Sequence, residues 1–471
     1  MKTILRNLKV ILLIFICLSI TLLIGLYLQQ YRSRHELNTA AGENKDALRT
    51  RYAQAGTIYD TRGIILAQSV NGERLYAEDD MTSQALLHVV GDYTHNIENT
   101  IEGTYQGVLL GNDRNVFRQA ILDIFGKGLY GDDIVLTLDS ELSAYAYDIL
   151  DGRRGSVVVM NYTTGDILAS VSSPSVMPEH VVTYSEIPDT ALFNRAFLGA
   201  YAPGSTFKII TASTYMQSAV YDPELTLICD SHSTVDPFGA SETGDGHGEI
   251  TLKDAIARSC NVFFGHIGIQ IDKEFFSLQL DRFGFGESIA VDRLYASGGK
   301  YIIPENSSTV SWFAIGQPVA DSVLYTSPLH LAMIAGAIGN EGAMMMPHVV
   351  DYSRTPLGEI YDRSESKIWT EVMSSELALE IETMMIGTTQ YGTGTTASVN
   401  GYTVAAKTGT VQVEGKKNNA LCVAYITEDD MPFVIAVVVE EGGAGGDTAA
   451  PIAGRILSKT VDIYTSSTPE S

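Results

Sequence analysis

Hydrophobic and polar positions divide the chain sharply near its start. Val10 to Leu28 (VILLIFICLSITLLIGLYL) holds no charge over 19 residues, and about 20 apolar residues in a helix span the hydrocarbon core of a bilayer. Lys2, Arg6 and Lys9 precede the run, which favours a cytoplasmic N-terminus; Arg32 and Arg34 follow it, so the bias is modest. A cleaved signal has a shorter apolar core and a small-residue cleavage site, whereas Gln29-Gln30-Tyr31-Arg32 follows here. The run reads as an uncleaved single-pass anchor, with a removed signal as the alternative. In both cases the rest of the chain lies outside the cytoplasmic membrane.

Beyond the anchor the pattern changes period several times. Residues 29–55 are polar and read as a stalk. Ala55 to Glu78 alternates in short β-type runs broken at Gly63 and Asn71-Gly72, a hairpin-like signal, and a small extended domain covers 56–131. A larger domain spans 132–465, leaving 1–9 as a cytoplasmic tail and 466–471 as a C-terminal one. Within the larger domain Asp133–Thr137 reads as a strand, Ser140–Leu150 as an amphipathic helix, and Gly155–Met160 with Asp166–Val171 as a β-hairpin. Three more strands are expected at Tyr402–Val413, Ala420–Thr427 and Phe433–Glu440; the last (FVIAVVVE) is a near-continuous apolar run typical of a buried strand. A helix from about Thr448 to Ile463 closes the domain. Residues 190–395, between the two strand groups, are mainly helical in pattern. Two early strands rejoining three late ones around a helical insert make an α/β architecture with one antiparallel sheet.

Composition narrows the function classes. Among 471 residues, 45% are hydrophobic and 18% charged, with a net charge of −25. Such a surplus repels phosphate backbones, so a nucleic-acid partner is excluded. Four scattered Cys (Cys17, Cys229, Cys260, Cys422) form no C-x-x-C pair, and nine His form no H-E-x-x-H. Cys260 reads as packing and His247 as a structural turn residue. The loop Gly442–Gly446 lacks the Lys-Ser/Thr of a phosphate loop.

Three short motifs carry candidate chemistry. In YAPGSTFKIITASTYM a Pro203-Gly204 turn precedes Ser205, which opens an apolar-periodic helix. Ser205 and Lys208, three apart, share a helix face. A serine hydroxyl needs an adjacent base to act as a nucleophile, and Lys208 serves only if burial or a second cation lowers its pKa. Ser-x-x-Lys occurs three times in the chain, and Ser205 alone could be a helix N-cap. Ser259-Cys260-Asn261 ends a helix-like run starting at Thr251; it is a candidate cleft element or simply a satisfied helix terminus. Lys407-Thr408-Gly409-Thr410 occurs once, inside a strand of small and β-branched residues. Lys407 could depress Lys208 or hold a substrate carboxylate, or be a solvated edge lysine beside a glycine bulge.

Taken together and in this order, S-x-x-K, S-x-N and K-T-G resemble the penicillin-binding transpeptidases and serine β-lactamases. Flanking stretches extend the resemblance: GTIYDTRGIILA, GSVVVMNYTTGDILASVSSPS, FNRAFLGAYAPGSTFKIITA, SWFAIGQ and TSPLHLAMIAGAIGNEG. The arrangement is similar to a monofunctional, class B penicillin-binding protein. The resemblance implies a five-stranded antiparallel sheet flanked by helices plus an all-helical subdomain. It also implies a small, β-rich, non-catalytic pedestal (56–131) and one transmembrane helix, with the catalytic domain outside the membrane.

The resemblance implies as well that the protein is a D,D-transpeptidase cross-linking peptidoglycan stem peptides. Ser205 would attack the penultimate D-Ala carbonyl and Lys208 would take its proton. Ser259 would relay a proton to the leaving D-Ala, and Asn261 would bind the substrate amide or the Lys208 side chain. Lys407, Thr408 and Thr410 would hold the terminal carboxylate, with Gly409 leaving room along the strand; the amides of Ser205 and Thr410 would form the oxyanion hole. β-Lactams would acylate Ser205. No metal or organic cofactor is implied, and the family suggests a multi-spanning membrane glycosyltransferase as partner. Alternatives are a D,D-carboxypeptidase or β-lactamase on the same fold, or a non-catalytic scaffold. No E-x-x-L-N lies between Ser259 and Lys407, which argues against rapid deacylation. Two departures from the family pattern, Gly316-Gln317-Pro318 and Asn419-Ala420-Leu421-Cys422, fall on the channel walls and bear on acceptor preference.

Overall fold

The computed structural model describes residues 9–22, 24–25, 45–183, 187–188, 190–230, 235, 239–242 and 245–466. Residues 9–22 and 24–25 are helical, and Val10, Leu13 and Phe15 on this helix are exposed. Among the described residues no helix is long and apolar enough to cross a membrane. Leu23 and Leu26–Leu28 of the expected anchor lie outside the described residues, as do most of the stalk and residues 467–471.

The expected hairpin and three late strands form one five-stranded antiparallel sheet. Its order is Val404–Val411, Asn419–Ile426, Phe433–Val439, Gly155–Asn161, Ile167–Ser173. Side chains alternate across a strand, and here both faces are covered. Val157, Val159, Ile435 and Val437 pack with Leu142, Ile149, Ile452 and Ile456 of helices Ser140–Leu150 and Gly445–Ser466. Val158, Met160, Val434 and Ala436 face the opposite way, onto Leu331 and Ala335 of helix Pro328–Gly339. The same alternation puts Lys407 in phase with Ala405 and Val411, which belong to this second core.

An ion pair between buried Arg195 and half-buried Glu440 ties the sheet to the segment ahead of Ser205. Arg195, 1% exposed, donates to Glu440 at 2.9 Å, just past the central strand; Tyr201 donates to the same oxygen at 2.9 Å. Arg195 holds the Glu440 carboxyl below its usual range against the opposing effect of burial.

Two expectations need correction. The all-helical subdomain is mixed. Between its helices lie antiparallel ladders pairing Leu227–Asp230 with Gly246–Ile250, Ser288–Val291 with Leu294–Ser297, Lys300–Ile302 with Val323–Tyr325, and Ala343–Met345 with Ile368–Glu371. These strands are too short to impose a period on the surrounding apolar pattern. The segment 56–131 is also less β-rich than expected: short strands Ile58–Tyr59, Ile65–Val70 and Glu73–Tyr76 are followed by helices Asp80–Val90, Ile101–Thr104, Gln106–Leu109 and Val116–Ile124.

The sheet of this segment continues into later sequence. Ile58–Tyr59 pairs in parallel with Asp133–Leu136, which pairs with Val350–Arg354, and that strand with Ile360–Tyr361. A six-stranded layer therefore joins the start of the larger domain and its 350–361 segment to the smaller one.

Candidate active site

Pro203 and Gly204 turn the chain so that Ser205 sits in a 3₁₀ turn, Gly204–Phe207, running directly into the α-helix Lys208–Gln217. Phe207 anchors the turn in an aromatic cluster with Phe276, Phe285 and Phe313, centroids 5.6 to 6.2 Å away. Thr211, one turn beyond Phe207, donates to the Ala314 carbonyl at 2.7 Å. Ser205 is half-buried, and among the described residues its hydroxyl has no hydrogen-bond partner. Lys208 behind it is fully buried.

Helix Leu252–Arg258 stops at Ser259, whose φ of 60° and ψ of 40° are left-handed. A non-glycine residue there carries roughly 1–2 kcal/mol of strain. The conformation turns both Ser259 oxygens toward one cation: the Lys208 ammonium donates to the Ser259 carbonyl at 2.6 Å and to Oγ at 3.3 Å. Asn261 opens the next helix, and its Oδ1 accepts a third bond from Lys208 at 2.7 Å. Asn261 Nδ2 donates to the Ser241 carbonyl at 3.1 Å, which fixes the amide's orientation.

Lys407 reaches the same hydroxyl from the sheet, its Nζ 2.8 Å from Ser259 Oγ and 3.2 Å from the Thr408 carbonyl. The edge-lysine alternative fails, since Lys407 is fully buried although its strand is at the sheet edge. A serine hydroxyl has two acceptor sites and one proton. Ser259 can therefore accept from one group and donate to another.

Burial lowers Lys208 to about 8, against Glu242, whose charge acts in the opposite direction. Lys407 is itself lowered well below its usual value, by burial and then by repulsion from Lys208. Among the described residues no carboxylate pairs with Lys407. An anion entering the site would supply the missing countercharge.

At Gly409 the chain that approaches the strand closely is the Ser205 turn. A Cβ there would lie 3.1 Å from the Pro203 carbonyl oxygen and 3.2 Å from Thr206 Cγ2, so the missing side chain lets the Ser205 turn rest on the strand. Thr410 beside it is half-buried; its Oγ1 accepts the Gly445 amide at 3.0 Å, and its carbonyl accepts from Gln317 Nε2 at 2.8 Å. Thr408 shares a hydrogen bond of 2.5 Å with Thr393. Gly316 accepts the Gly204 amide at 3.0 Å, and a Cβ on Gly316 would meet the Gly204 oxygen at 2.0 Å. The Gly316-Gln317 departure segment thus braces both the turn and the strand.

All eight sequence-predicted residues fall in one place. Lys208, Ser259, Asn261 and Lys407 are joined by hydrogen bonds, and Gly409 and Thr410 abut the Ser205 turn. Sequence reasoning missed Thr393, Gln317 as a brace, and Glu242, which accepts the Asn261 amide at 2.9 Å. Of these only Gln317 lay in a stretch that carried the resemblance.

Comparison with known proteins places the chain as a whole. Residues 155–458 match the family described as the penicillin binding protein transpeptidase domain. The chain is 28% identical over 448 residues to the peptidoglycan D,D-transpeptidase PbpA of Mycolicibacterium smegmatis, covering 87% of this chain and 89% of that one. Its fold superposes on the D,D-transpeptidase domain of a peptidoglycan glycosyltransferase from Eggerthella lenta with a TM-score of 0.74 and 29% identity, covering 88% and 99% of the two chains. The imipenem acyl-enzyme complex of penicillin-binding protein A from M. tuberculosis gives 0.76 and 26%, over 87% and 99%. On the family match across residues 155–458, the chain belongs to the penicillin-binding protein transpeptidases.

Proposed function

We propose that the protein is a peptidoglycan D,D-transpeptidase working through an acyl-enzyme on Ser205. The carrying observation is the buried Lys208–Ser259–Lys407 hydrogen-bond chain beside a half-buried, unengaged serine. Lys208, neutral above about 8, removes the Ser205 proton as Oγ bonds to the penultimate D-Ala carbonyl carbon. The C–N bond to the terminal D-Ala then breaks; its nitrogen takes the Ser259 hydroxyl proton, and Ser259 takes back the proton that Lys208 removed from Ser205. An amine from a second stem peptide attacks the ester, forms the cross-link and returns the Ser205 proton.

Asn261 belongs with Lys208 in this scheme, because its Oδ1 is engaged there. Lys407, Thr408 and Thr410 receive the terminal carboxylate. The Ser205 and Thr410 amides face the oxyanion, each donor in such sites contributing about 10²–10³ in rate. A β-lactam follows the same first step and is held as an ester.

Residues 10–28 serve as a single-pass anchor with the N-terminus inside, 56–131 as a non-catalytic pedestal, and the catalytic domain lies outside the membrane. A multi-spanning membrane glycosyltransferase is the partner to seek by pull-down through residues 1–130. Supporting this placement are the uncharged run and the exposed apolar side chains of its helix.

The activity is tested with the full chain, a donor peptide ending in D-Ala-D-Ala and a labelled D-amino acid as acceptor. Label enters the product with the wild type and not with Ser205→Ala. Release of D-Ala with only the hydrolysed donor formed would make the protein a carboxypeptidase instead.

A further inference from the structure

Helix Val116–Ile124 carries its amphipathic pattern inverted. Its polar side faces the protein: Arg118 donates to Glu359 at 3.1 Å and lies 4.1 Å over the Tyr361 ring, and Gln119 donates to the Gly128 carbonyl at 3.1 Å. Its apolar side faces out. Phe117, Ile121, Ile124 and Phe125 recur there at helical spacing, and Leu129 follows in the next loop; Phe117, Leu129 and Ile124 are 84%, 82% and 80% exposed. Soluble surfaces rarely leave so many large apolar side chains side by side. The two charges nearest them are engaged, Asp123 accepting from Gln119 at 2.9 Å and Lys127 lying 5.0 Å over the Tyr130 ring.

The topology puts this face at the end of the smaller domain where the chain arrives from its uncharged run. Ile58–Tyr59 and Asp133–Leu136 pair in parallel, so both strands begin at the same end of the six-stranded layer. The entering chain and the excursion 110–130 meet at that end: the Gly131 amide donates to the Gln54 carbonyl and the Gly56 amide to the Leu109 carbonyl, each at 2.8 Å. Arg354 pairs with Asp133 there, which brings Glu359 under Arg118. The far end of the same strands leads into the larger domain, where Ser140 donates to Asp60 at 2.7 Å. Residues 29–44, between the uncharged run and helix Lys45–Tyr52, reach at most about 55 Å. The apolar face therefore stands at the tethered end, within reach of the bilayer that residues 10–28 would span.

We propose that the Phe117–Leu129 face inserts into the outer interfacial layer of that bilayer, as a second, monotopic lipid contact beside the anchor; the inference rests on the anchor reading of residues 10–28. Acyl chains take up the aliphatic side chains, and the rings of Phe117, Phe125 and Tyr130 suit the headgroup boundary. A helix tolerates this position because its backbone hydrogen bonds are internal. Since the anchor already holds the domain beside the surface, a weak contact suffices. Two attachments instead of one fix the tilt of the six-stranded layer, and with it the height at which the Ser205 site stands above the lipid.

The test uses Phe125→Trp in the full chain, reconstituted in phosphatidylcholine vesicles with and without lipid brominated high on the acyl chain. The expected result is a blue-shifted emission component beyond that of Trp312 and Trp369, lost in the brominated vesicles. Leu278→Trp, at an exposed position of the larger domain, gains no such component. Adding Phe117→Asp and Ile124→Asp to the Phe125→Trp chain abolishes the quenching, while fluorescent penicillin still labels Ser205. Where that variant does not fold, the single tryptophan decides. A chain that floats with the vesicles while the added tryptophan stays red-shifted and unquenched overturns the lipid contact alone. A chain that fails to float overturns the anchor reading as well, so the two failures are separately visible. A blue shift without bromine quenching also overturns the lipid contact: if it grows with protein per vesicle the face belongs to a second copy, and if it needs a co-reconstituted membrane glycosyltransferase, to that partner.

Discussion

In the five-stranded sheet, strands of seven or eight residues come from two hairpin-like groups, pair antiparallel throughout and are almost wholly buried. The six-stranded layer is assembled from strands of two to six residues drawn from three separated segments, with one parallel pair. Apolar packing on two faces holds the first. The second relies on charges buried beneath it: Arg74 donates to Glu102 at 2.8 Å with both side chains inaccessible, and Arg114 to Asp132 at 2.6 Å with each 1% exposed. Chemistry sits on the first sheet, whose edge strand carries Lys407 at a fixed phase. The second sheet links the domains and carries none of the predicted site residues. Rigid apolar packing suits a site that needs sub-ångström placement, whereas a paired-charge layer is vulnerable to the loss of one partner.

The largest separation between the two regions comes from Lys208→Ala. Removing the base should slow β-lactam acylation by about 10²–10⁴, measured by time-resolved fluorescent penicillin labelling, with the six-stranded layer untouched. A rate within tenfold of wild type would mean that Lys208 is not the base. Next is Arg74→Met, which leaves Glu102 buried without its cation and should cost about 3 kcal/mol. Calorimetry should show an earlier transition for the six-stranded layer, while labelling per folded molecule persists. Burial already raises Glu102 above its usual value despite Arg74. Without Arg74 the native state holds that proton more tightly than the unfolded chain, so the loss should deepen as pH rises. The smallest effect is in the wild type: acylation should climb up to tenfold per pH unit below about 8 and level off above it, as Lys208 loses its proton. A flat profile across that range would separate the base from Lys208.

The same contrast explains what was legible in the sequence. Phe433–Val439 and the 155–173 hairpin announce themselves because long apolar runs and a tight turn are local signals. Ser205, Lys208, Ser259 and Lys407 were readable because their motifs are short and ordered. Of the six-stranded layer only the 55–78 hairpin signal and the 133–137 strand were, since the parallel partner of Ile58–Tyr59 lies 76 residues away and strands as short as two residues carry no period. Gly409 was noticed, but its neighbour across the gap, Pro203, is a tertiary fact. Glu242 and Thr393 were invisible because nothing in their spacing links them to Asn261 and Thr408.

The most direct test of the central claim is to treat the full chain with a β-lactam, digest it and locate the adduct by mass spectrometry. The account predicts a single, long-lived acyl group on Ser205, absent from Ser205→Ala. An adduct on another residue, or no stable adduct on a folded chain, would contradict it.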